Sequence, residues 1–191
     1  DQLARIGKDL PDGEVLQIEL QRNGTYSEEN YFRAIYYKTA SLFISCCASG
    51  VYTGGGDDAL AEAFCEYGKY AGICFQIKDD ILDYSGTESV GKPLGVDILE
   101  QKITMPLLGA LASVSDEEAA RVRGLVKDIV GNPEYRDEIV DFVKDNGGLE
   151  AARAELDAYV EEAVAALDVL PDCFEKECLV ELAYFTAKRI M

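Results

Sequence analysis

The sequence predicts an all-α fold, and three features of its pattern support that prediction. No window shows the sustained apolar–polar alternation of a half-buried strand. Apolar residues recur at helical spacing along most of the 191 residues. Capping residues and glycines divide this pattern into segments of ordinary helical length. We therefore expect a bundle of helices without a sheet.

Three helices are predicted in the first half of the chain. A short helix ends near Arg22, because Asn23-Gly24 is a strong stop signal. A second begins after Ser27, a good N-cap residue, and runs to about residue 51, ahead of three consecutive glycines. A third begins at the aspartate pair 57–58, whose carboxylates suit a helix N-terminus, and runs to about residue 84.

Five further helices are predicted after a loop over residues 85–102. The first covers about residues 104–112, and Ser115 with Glu118 forms a capping box that opens the second. Pro133 suits the first turn of the third, which Gly147-Gly148 ends. The last two cover about residues 149–167 and 174–190. Much of the excess acid lies on these later helices, where it is typical of a solvated face, and we assign it no chemistry.

The composition excludes several classes of function. The 36 acidic and 18 basic side chains give a net charge of -18, which argues against binding nucleic acid or an anionic membrane. Without histidine, a metal site must be built from carboxylates or cysteines, and His-based catalytic triads are impossible. No stretch suits a transmembrane helix or a signal peptide. We expect a cytoplasmic protein whose six cysteines are buried free thiols.

The third predicted helix carries an acidic stripe on an otherwise largely apolar surface. The stripe consists of Gln76, Asp79, Asp80 and Asp83. Its three carboxylates repel each other, and the helix dipole disfavours anions near a C-terminus. A bound cation would offset both costs, and Mg²⁺ suits this set because it prefers oxygen ligands and commonly bridges carboxylates to phosphates. The alternative is a solvated aspartate cluster.

Two glycines, Gly68 and Gly72, lie at the edge of this stripe, upstream of the aspartates. Because glycine has no side chain, we expect a ligand to approach the helix backbone at these positions.

Three lysines complete a candidate anion site. Lys38 is the only charged residue between Arg33 and Asp57, and it lies among apolar residues of the second predicted helix. Such a lysine either extends to water or meets an anion. The loop after the third helix adds Lys92 and Lys102. Taken together with the aspartates, these lysines predict a site for a diphosphate and Mg²⁺.

These residues resemble the motifs of the trans-isoprenyl (polyprenyl) diphosphate synthases, in their medium- and long-chain form. The segment 75–83, with its Asp-Asp-x-x-Asp pattern, is similar to the family's second aspartate-rich motif. Further segments resemble other parts of the family's sequence in the same order. They are residues 13–17, 38–40, 91–93, 97–106 and 182–189.

The resemblance implies an isoprenoid-synthase-type helical bundle around a central cavity. It also implies a Mg²⁺-dependent condensation of isopentenyl diphosphate with an allylic diphosphate, which makes a trans-polyprenyl diphosphate. The implied roles are then carried over to the matching positions. The metal ligands are Asp79, Asp80 and Asp83; the catalytic cations that neutralise the allylic diphosphate are Lys38, Lys92 and Lys102; and Thr39 and Gln76 line the side of the substrate's tail.

The chain departs from the family's pattern in two respects. The first aspartate-rich motif and the basic isopentenyl diphosphate site of the family are both absent from the sequence. We therefore expect residues 1–191 to be the C-terminal portion of a single domain, without its N-terminal helices and inactive alone.

Two other functions are alternatives to this one. The first is a noncatalytic helical subunit that supports a partner chain carrying the first aspartate-rich motif. The second is a related terpene cyclase, which the Lys-Thr pair at 38–39 disfavours. Because apolar stripes such as residues 36–44 would be exposed without the missing helices, we also expect a homodimer.

Overall fold

A computed structural model describes residues 2–24, 27–85 and 94–189, and every regular element within those ranges is helical. The all-α prediction is therefore confirmed. The α-helices of the described residues are α1 (Gln2–Asn23), α2 (Glu28–Ile35), α3 (Ser41–Thr53), α4 (Asp58–Ser85), α5 (Val96–Leu99), α6 (Met105–Ala112), α7 (Asp116–Asp128), α8 (Tyr135–Asp145), α9 (Gly148–Ala165) and α10 (Phe174–Lys188). None of these helices combines the length and the apolar character needed to cross a membrane.

Helix α1 is longer than the short helix predicted. It spans 22 residues and contains Pro11. Its end is as predicted, because Gly24 adopts φ +62°, the left-handed conformation that commonly ends helices. Gly13 lies within this helix and serves packing, because a Cβ there would lie 2.6 Å from the Lys38 amide nitrogen.

The second predicted helix is divided into three parts. α2 begins after Ser27, whose Oγ accepts a hydrogen bond from the Asn30 amide at 3.3 Å. A π-helical turn over Tyr36–Ala40 then separates α2 from α3. The Ser41 hydroxyl donates to the Tyr37 carbonyl of this turn at 2.6 Å. A single π-helical turn leaves the apolar periodicity on both sides intact, so the sequence pattern did not reveal it.

The glycines of α4 serve helix packing, which corrects the interpretation made from the sequence. A Cβ at Gly68 would lie 2.8 Å from the Phe43 carbonyl oxygen, and one at Gly72 would lie 2.6 Å from the Ala40 Cα. Real Cβ atoms do not approach other atoms so closely. The space beside these glycines is therefore filled by the protein's own backbone, and the prediction that a ligand occupies it is wrong.

The predicted helix caps are largely confirmed. Asp57 accepts a hydrogen bond from the Leu60 amide at 2.9 Å at the start of α4. Ser115 accepts one from the Glu118 amide at 3.3 Å at the start of α7. The pair at 147–148 differs from the prediction, because only its first glycine lies outside a helix and its second begins α9.

All six cysteines are free thiols, as predicted, but only Cys74 is buried. The prediction of burial is wrong for Cys46 and Cys178, which are exposed. Burial raises the pKa of the Cys74 thiol to about 12.

The described residues form two compact units. The first unit comprises the described residues of Asp1–Leu16, Phe32–Lys78 and Leu156–Ile190, and the second those of Gln17–Tyr31 and Asp79–Glu155. Each has its own core: Ile77 and Leu167 are fully buried in the first, and the second buries residues such as Ile98, Leu107 and Ile139. The predicted single domain stays a prediction.

Candidate functional site

Asp80 is buried in the second unit and holds two other elements against the end of α4. Asp80 is only 3% exposed to solvent. Its Oδ2 accepts a hydrogen bond from the Tyr31 hydroxyl at 2.8 Å and another from the Met105 amide at 3.0 Å. The Met105 amide is the first N–H of α6 and has no partner within that helix. Asp80 therefore caps α6 from outside and anchors α2.

Asp83 plays a similar part at the next turn of the same helix and is 2% exposed. Its Oδ1 accepts from the Val96 amide and its Oδ2 from the Asp97 amide, both at 3.1 Å. Its carbonyl accepts from the Gly95 amide at 2.9 Å. Gly95 has φ +70°, the left-handed conformation that lets the chain turn into α5. The carboxylate of Asp83 thus fixes the first turn of α5.

Tyr84 completes this buried polar group. Its hydroxyl shares a hydrogen bond of 2.8 Å with the Thr104 hydroxyl. Burial raises the pKa of Tyr84, and the nearby charges of Asp80 and Asp83 raise it further. The phenol therefore remains protonated and serves as a neutral hydrogen-bonding group.

Asp79 differs from its two neighbours because its side chain is only half-buried. Within the part of the chain that the structure describes, no three carboxylates or thiols are gathered closely enough to hold a metal ion. The donor chemistry nevertheless suits Mg²⁺, which keeps several waters and needs only one or two carboxylates. Asp79 is the most accessible of the three carboxylates, whereas Asp80 and Asp83 are buried and fix the end of α4 through their hydrogen bonds.

Lys102 lies in the second unit with two acidic partners. Its Nζ is 2.7 Å from Asp97 Oδ1 and 2.6 Å from Glu100 Oε2. Partial burial opposes the charge on Lys102, but these two carboxylates outweigh that cost and raise its pKa. The ammonium group therefore stays charged across the physiological range.

Two predicted residues of the first unit contact each other. The Thr39 hydroxyl donates to Gln76 Oε1 at 3.0 Å, which joins the π-helical turn to α4. Both side chains are half-buried. The two residues that the resemblance places beside the substrate's tail are therefore neighbours.

Lys38 meets an anion in the first unit, and that anion belongs to the protein. Its Nζ is 3.1 Å from Glu14 Oε1, and its side chain is 34% exposed. Glu14 lies within the 13–17 segment that resembles the family, but its pairing with Lys38 was not predicted from the sequence. The predicted Lys92 lies outside the described residues.

Sequence reasoning assigned no role to Tyr31 and included Arg189 only as the end of the 182–189 segment. The Arg189 guanidinium lies 3.9 Å from the centroid of the Phe75 ring, and its Nη2 donates to the Phe75 carbonyl at 3.0 Å. No local sequence pattern indicates these contacts, because the partners are far apart in the chain. Tyr31 and Asp80 are separated by 49 residues, and Arg189 and Phe75 by 114.

Comparison with known proteins places the chain in a family. The model of the polyprenyl synthetase family matches residues 1–143, so the chain belongs to that family. It is 36% identical over 181 residues to the octaprenyl diphosphate synthase of Haemophilus influenzae, a match that covers 94% of this chain and 55% of that protein. It is 31% identical over 188 residues to the heptaprenyl diphosphate synthase component 2 of Geobacillus stearothermophilus, covering 98% and 58% of the two chains.

Solved structures agree with this assignment. The polyprenyl synthase of Caulobacter crescentus, complexed with calcium and isoprenyl diphosphate, has a TM-score of 0.88 and 33% identity, covering 100% of this chain and 58% of that one. The geranylgeranyl pyrophosphate synthase of Bacteroides thetaiotaomicron has a TM-score of 0.90 and 34% identity, covering 98% and 62%. The predicted isoprenoid-synthase-type fold is confirmed. The chain spans about half the length of the curated relatives it matches.

Proposed function

We propose that this chain is part of a Mg²⁺-dependent prenyltransferase, which condenses isopentenyl diphosphate with an allylic diphosphate to make a trans-polyprenyl diphosphate. The observation that carries the proposal is the acidic end of α4, where the buried Asp80 and Asp83 hold the half-buried Asp79 on a fixed turn. Membership of the polyprenyl synthetase family supports it. So does the relative from Caulobacter crescentus, which binds calcium and isoprenyl diphosphate.

In the second unit, we propose that Asp79, Asp80 and Asp83 would hold Mg²⁺. Mg²⁺ bound there supplies positive charge that stabilises a departing diphosphate. Lys102 adds a fixed ammonium group for the same anion. Its carboxylate partners hold Nζ in one place, so less ordering is required when the substrate binds.

In the first unit, we propose that Lys38 binds the diphosphate and that Thr39 and Gln76 line the tail side of the substrate. The ion pair with Glu14 is partly exposed, so its Coulombic energy is small and a more highly charged anion can replace it. The hydrogen bond between Thr39 and Gln76 pairs the hydroxyl with the amide oxygen, and the hydrocarbon parts of both side chains can contact an apolar chain. Lys92 is proposed for the diphosphate from the resemblance alone.

Calorimetric titration of the chain with inorganic diphosphate tests this function. We expect binding in the presence of Mg²⁺, and affinity at least about tenfold weaker for Asp79→Asn. Asp116→Asn, which changes an exposed acid at the start of α7, is the matched control and should bind like the unchanged chain. Equal affinity for the two variants, or binding that does not depend on Mg²⁺, would contradict the proposal.

A turnover assay tests the expectation that the chain is inactive alone. With Mg²⁺, isopentenyl diphosphate and an allylic diphosphate, we expect no product from the chain by itself. Robust turnover would show that the first aspartate-rich motif is not required.

A second candidate is a noncatalytic subunit that supports a chain carrying the first aspartate-rich motif. The observation that favours it is the similarity to heptaprenyl diphosphate synthase component 2, a protein named as one component. Native mass measurement from the source cells separates the candidates. A co-purifying chain with the first motif favours the subunit, and its absence favours the enzyme.

We also propose that the protein is a cytoplasmic homodimer. The stripe predicted at 36–44 is only partly exposed, because Leu42 is 43% exposed whereas Ile44 is buried. Apolar side chains that are more exposed than Leu42 lie on α10, at Phe174, Leu182 and Phe185. Light scattering should find a dimer, and a monodisperse monomer would contradict this part of the proposal.

A further inference from the structure

We propose that Gln101 is a positioning residue for Lys102, which it acts on through the backbone of the turn that joins α5 to α6. The inference deepens the proposed function, because it rests on Lys102 as a ligand for the diphosphate. Gln101 itself touches neither the substrate nor the metal.

The backbone of Gln101 is the first observation. Its φ is 57°, and no other non-glycine residue within 2–24, 27–85 and 94–189 has a positive φ. The left-handed conformation is unfavourable for a residue with a Cβ and persists only where surrounding contacts enforce it. Some contact must therefore hold Gln101 in place.

The side chain of Gln101 makes that contact. Its Nε2 donates to the Lys127 carbonyl at 2.6 Å and to the Val126 carbonyl at 3.4 Å. Both carbonyls lie in the last turn of α7, and the Val126 carbonyl also accepts a hydrogen bond from the Ile129 amide at 3.4 Å. These two hydrogen bonds, which we call the Gln101 clamp, hold the turn against the end of α7.

The turn itself directs Lys102. The Gln101 amide donates to the Ile98 carbonyl at 2.8 Å, and the Lys102 amide donates to the Asp97 carbonyl at 2.9 Å. The Lys102 side chain then folds back onto Asp97 and Glu100. Only the left-handed residue between them allows the chain to close in this way, so the position of Nζ depends on the conformation of Gln101.

The same turn is continuous with the acidic end of α4. Asp97, which pairs with Lys102, donates its backbone amide to Asp83. The backbone carbonyl of Glu100 accepts from the Gln21 side chain at 3.0 Å. The clamp therefore fixes Lys102 relative to one of the proposed metal-binding aspartates, and every residue involved belongs to the second unit.

Two substitutions separate the clamp from general stability. Gln101→Met keeps the length of the side chain but removes the amide, so the unfavourable conformation loses its support. Gln101→Gly also removes the amide, but glycine adopts a positive φ without steric cost. Both variants lose the same hydrogen bonds to α7, so a role limited to those hydrogen bonds would affect them alike.

The experiment uses the whole chain and two readouts. We expect Mg²⁺-dependent affinity for inorganic diphosphate to fall about tenfold in Gln101→Met and to stay within about threefold of the original in Gln101→Gly. Acetylation of Lys102 by acetic anhydride, followed by mass spectrometry with Lys144 as internal reference, should rise severalfold in Gln101→Met only.

The two readouts keep the inference separate from the proposed function. If the unchanged chain does not bind diphosphate, the proposed function fails, and the acetylation pattern alone decides the positioning role. Lys102 acetylation that is the same in all three proteins would overturn the inference, as would equal losses of affinity in the Met and Gly variants.

Discussion

The hydroxyl of Tyr31 donates a 2.8 Å hydrogen bond to the carboxylate of Asp80, and both residues are almost completely buried. Asp80, one of the three candidate metal ligands, therefore also stabilises the fold. A buried carboxylate is costly unless hydrogen bonds compensate it. Asp80 and Asp83 each accept hydrogen bonds from their own donors, which offset the cost of burying them.

Removal of the Tyr31 hydroxyl should destabilise the protein. Tyr31→Phe leaves a buried carboxylate with one donor fewer, so we expect a loss of about 1–3 kcal/mol in the free energy of unfolding. Urea denaturation measures it. Tyr52→Phe is the matched control, because the Tyr52 hydroxyl donates to Asp58 at 3.2 Å on the surface and water can replace it. Equal losses in the two variants would contradict the role of Tyr31.

Loss of the Asp83 carboxylate should loosen α5. Asp83→Ala removes the acceptors of the Val96 and Asp97 amides, so both should exchange their hydrogens with solvent faster. Hydrogen exchange followed by NMR measures this directly. Asp83→Asn keeps one carboxamide oxygen and should show a smaller effect. Unchanged protection of these two amides in Asp83→Ala would show that α5 does not depend on the carboxylate.

The packing role of the α4 glycines has an equally simple test. Gly72→Ala places a Cβ against the Ala40 Cα and should cost about 1–3 kcal/mol in the free energy of unfolding. Gly124→Ala on α7 is the control, because no atom lies within 4 Å of its added Cβ. That change should stabilise the protein by up to about 1 kcal/mol, since alanine favours a helix. The same sign for both substitutions would contradict the packing account.

The buried thiol of Cys74 predicts a loss of stability in alkaline solution. Its pKa in the folded protein is about 12, against an ordinary value of 9.0. Because the folded pKa is raised, the unfolded chain loses this proton first. The contribution of the protonated Cys74 thiol to the free energy of unfolding is fully present below pH 9. It is lost as the pH rises from 9 towards 12.

Denaturation at several pH values between 8 and 10.5 measures that slope. Above pH 9, Cys74 should reduce the free energy of unfolding by up to about 1.4 kcal/mol per pH unit, and Cys74→Ala should lack this part of the slope. Cys178→Ala, at an exposed site, is the control. Identical slopes for the Cys74→Ala variant and the unchanged protein would contradict the assignment.

The sequence predicted those features that depend on neighbouring residues. Helix ends follow from local chemistry, so the stop at Gly24 and the caps at Asp57 and Ser115 could be placed in advance. The acidic stripe of α4 was found for the same reason, because its spacing is a property of one helix. The resemblance to a family added the roles that no local pattern contains.

The missing features depend on contacts between distant segments. The sequence does not show that Gly72 packs against Ala40, so the pattern alone predicts a ligand site beside this glycine. Likewise, the partners of Asp80 come from α2 and α6, and those of Asp83 from α5. Three aspartates on one stripe appeared equivalent, whereas tertiary contacts bury two and leave Asp79 more accessible.

Paramagnetic mapping with Mn²⁺ in place of Mg²⁺ tests whether a metal–diphosphate site lies at the acidic end of α4. Mn²⁺ is added to the ¹⁵N-labelled chain with inorganic diphosphate, and the broadening of each amide signal is followed. We expect the amides of Asp79, Asp83 and Lys102 to broaden first, and the effect to be lost in Asp79→Asn. Broadening that begins on the acidic helices α7 and α8, or that is unchanged in Asp79→Asn, would contradict the assignment of the site.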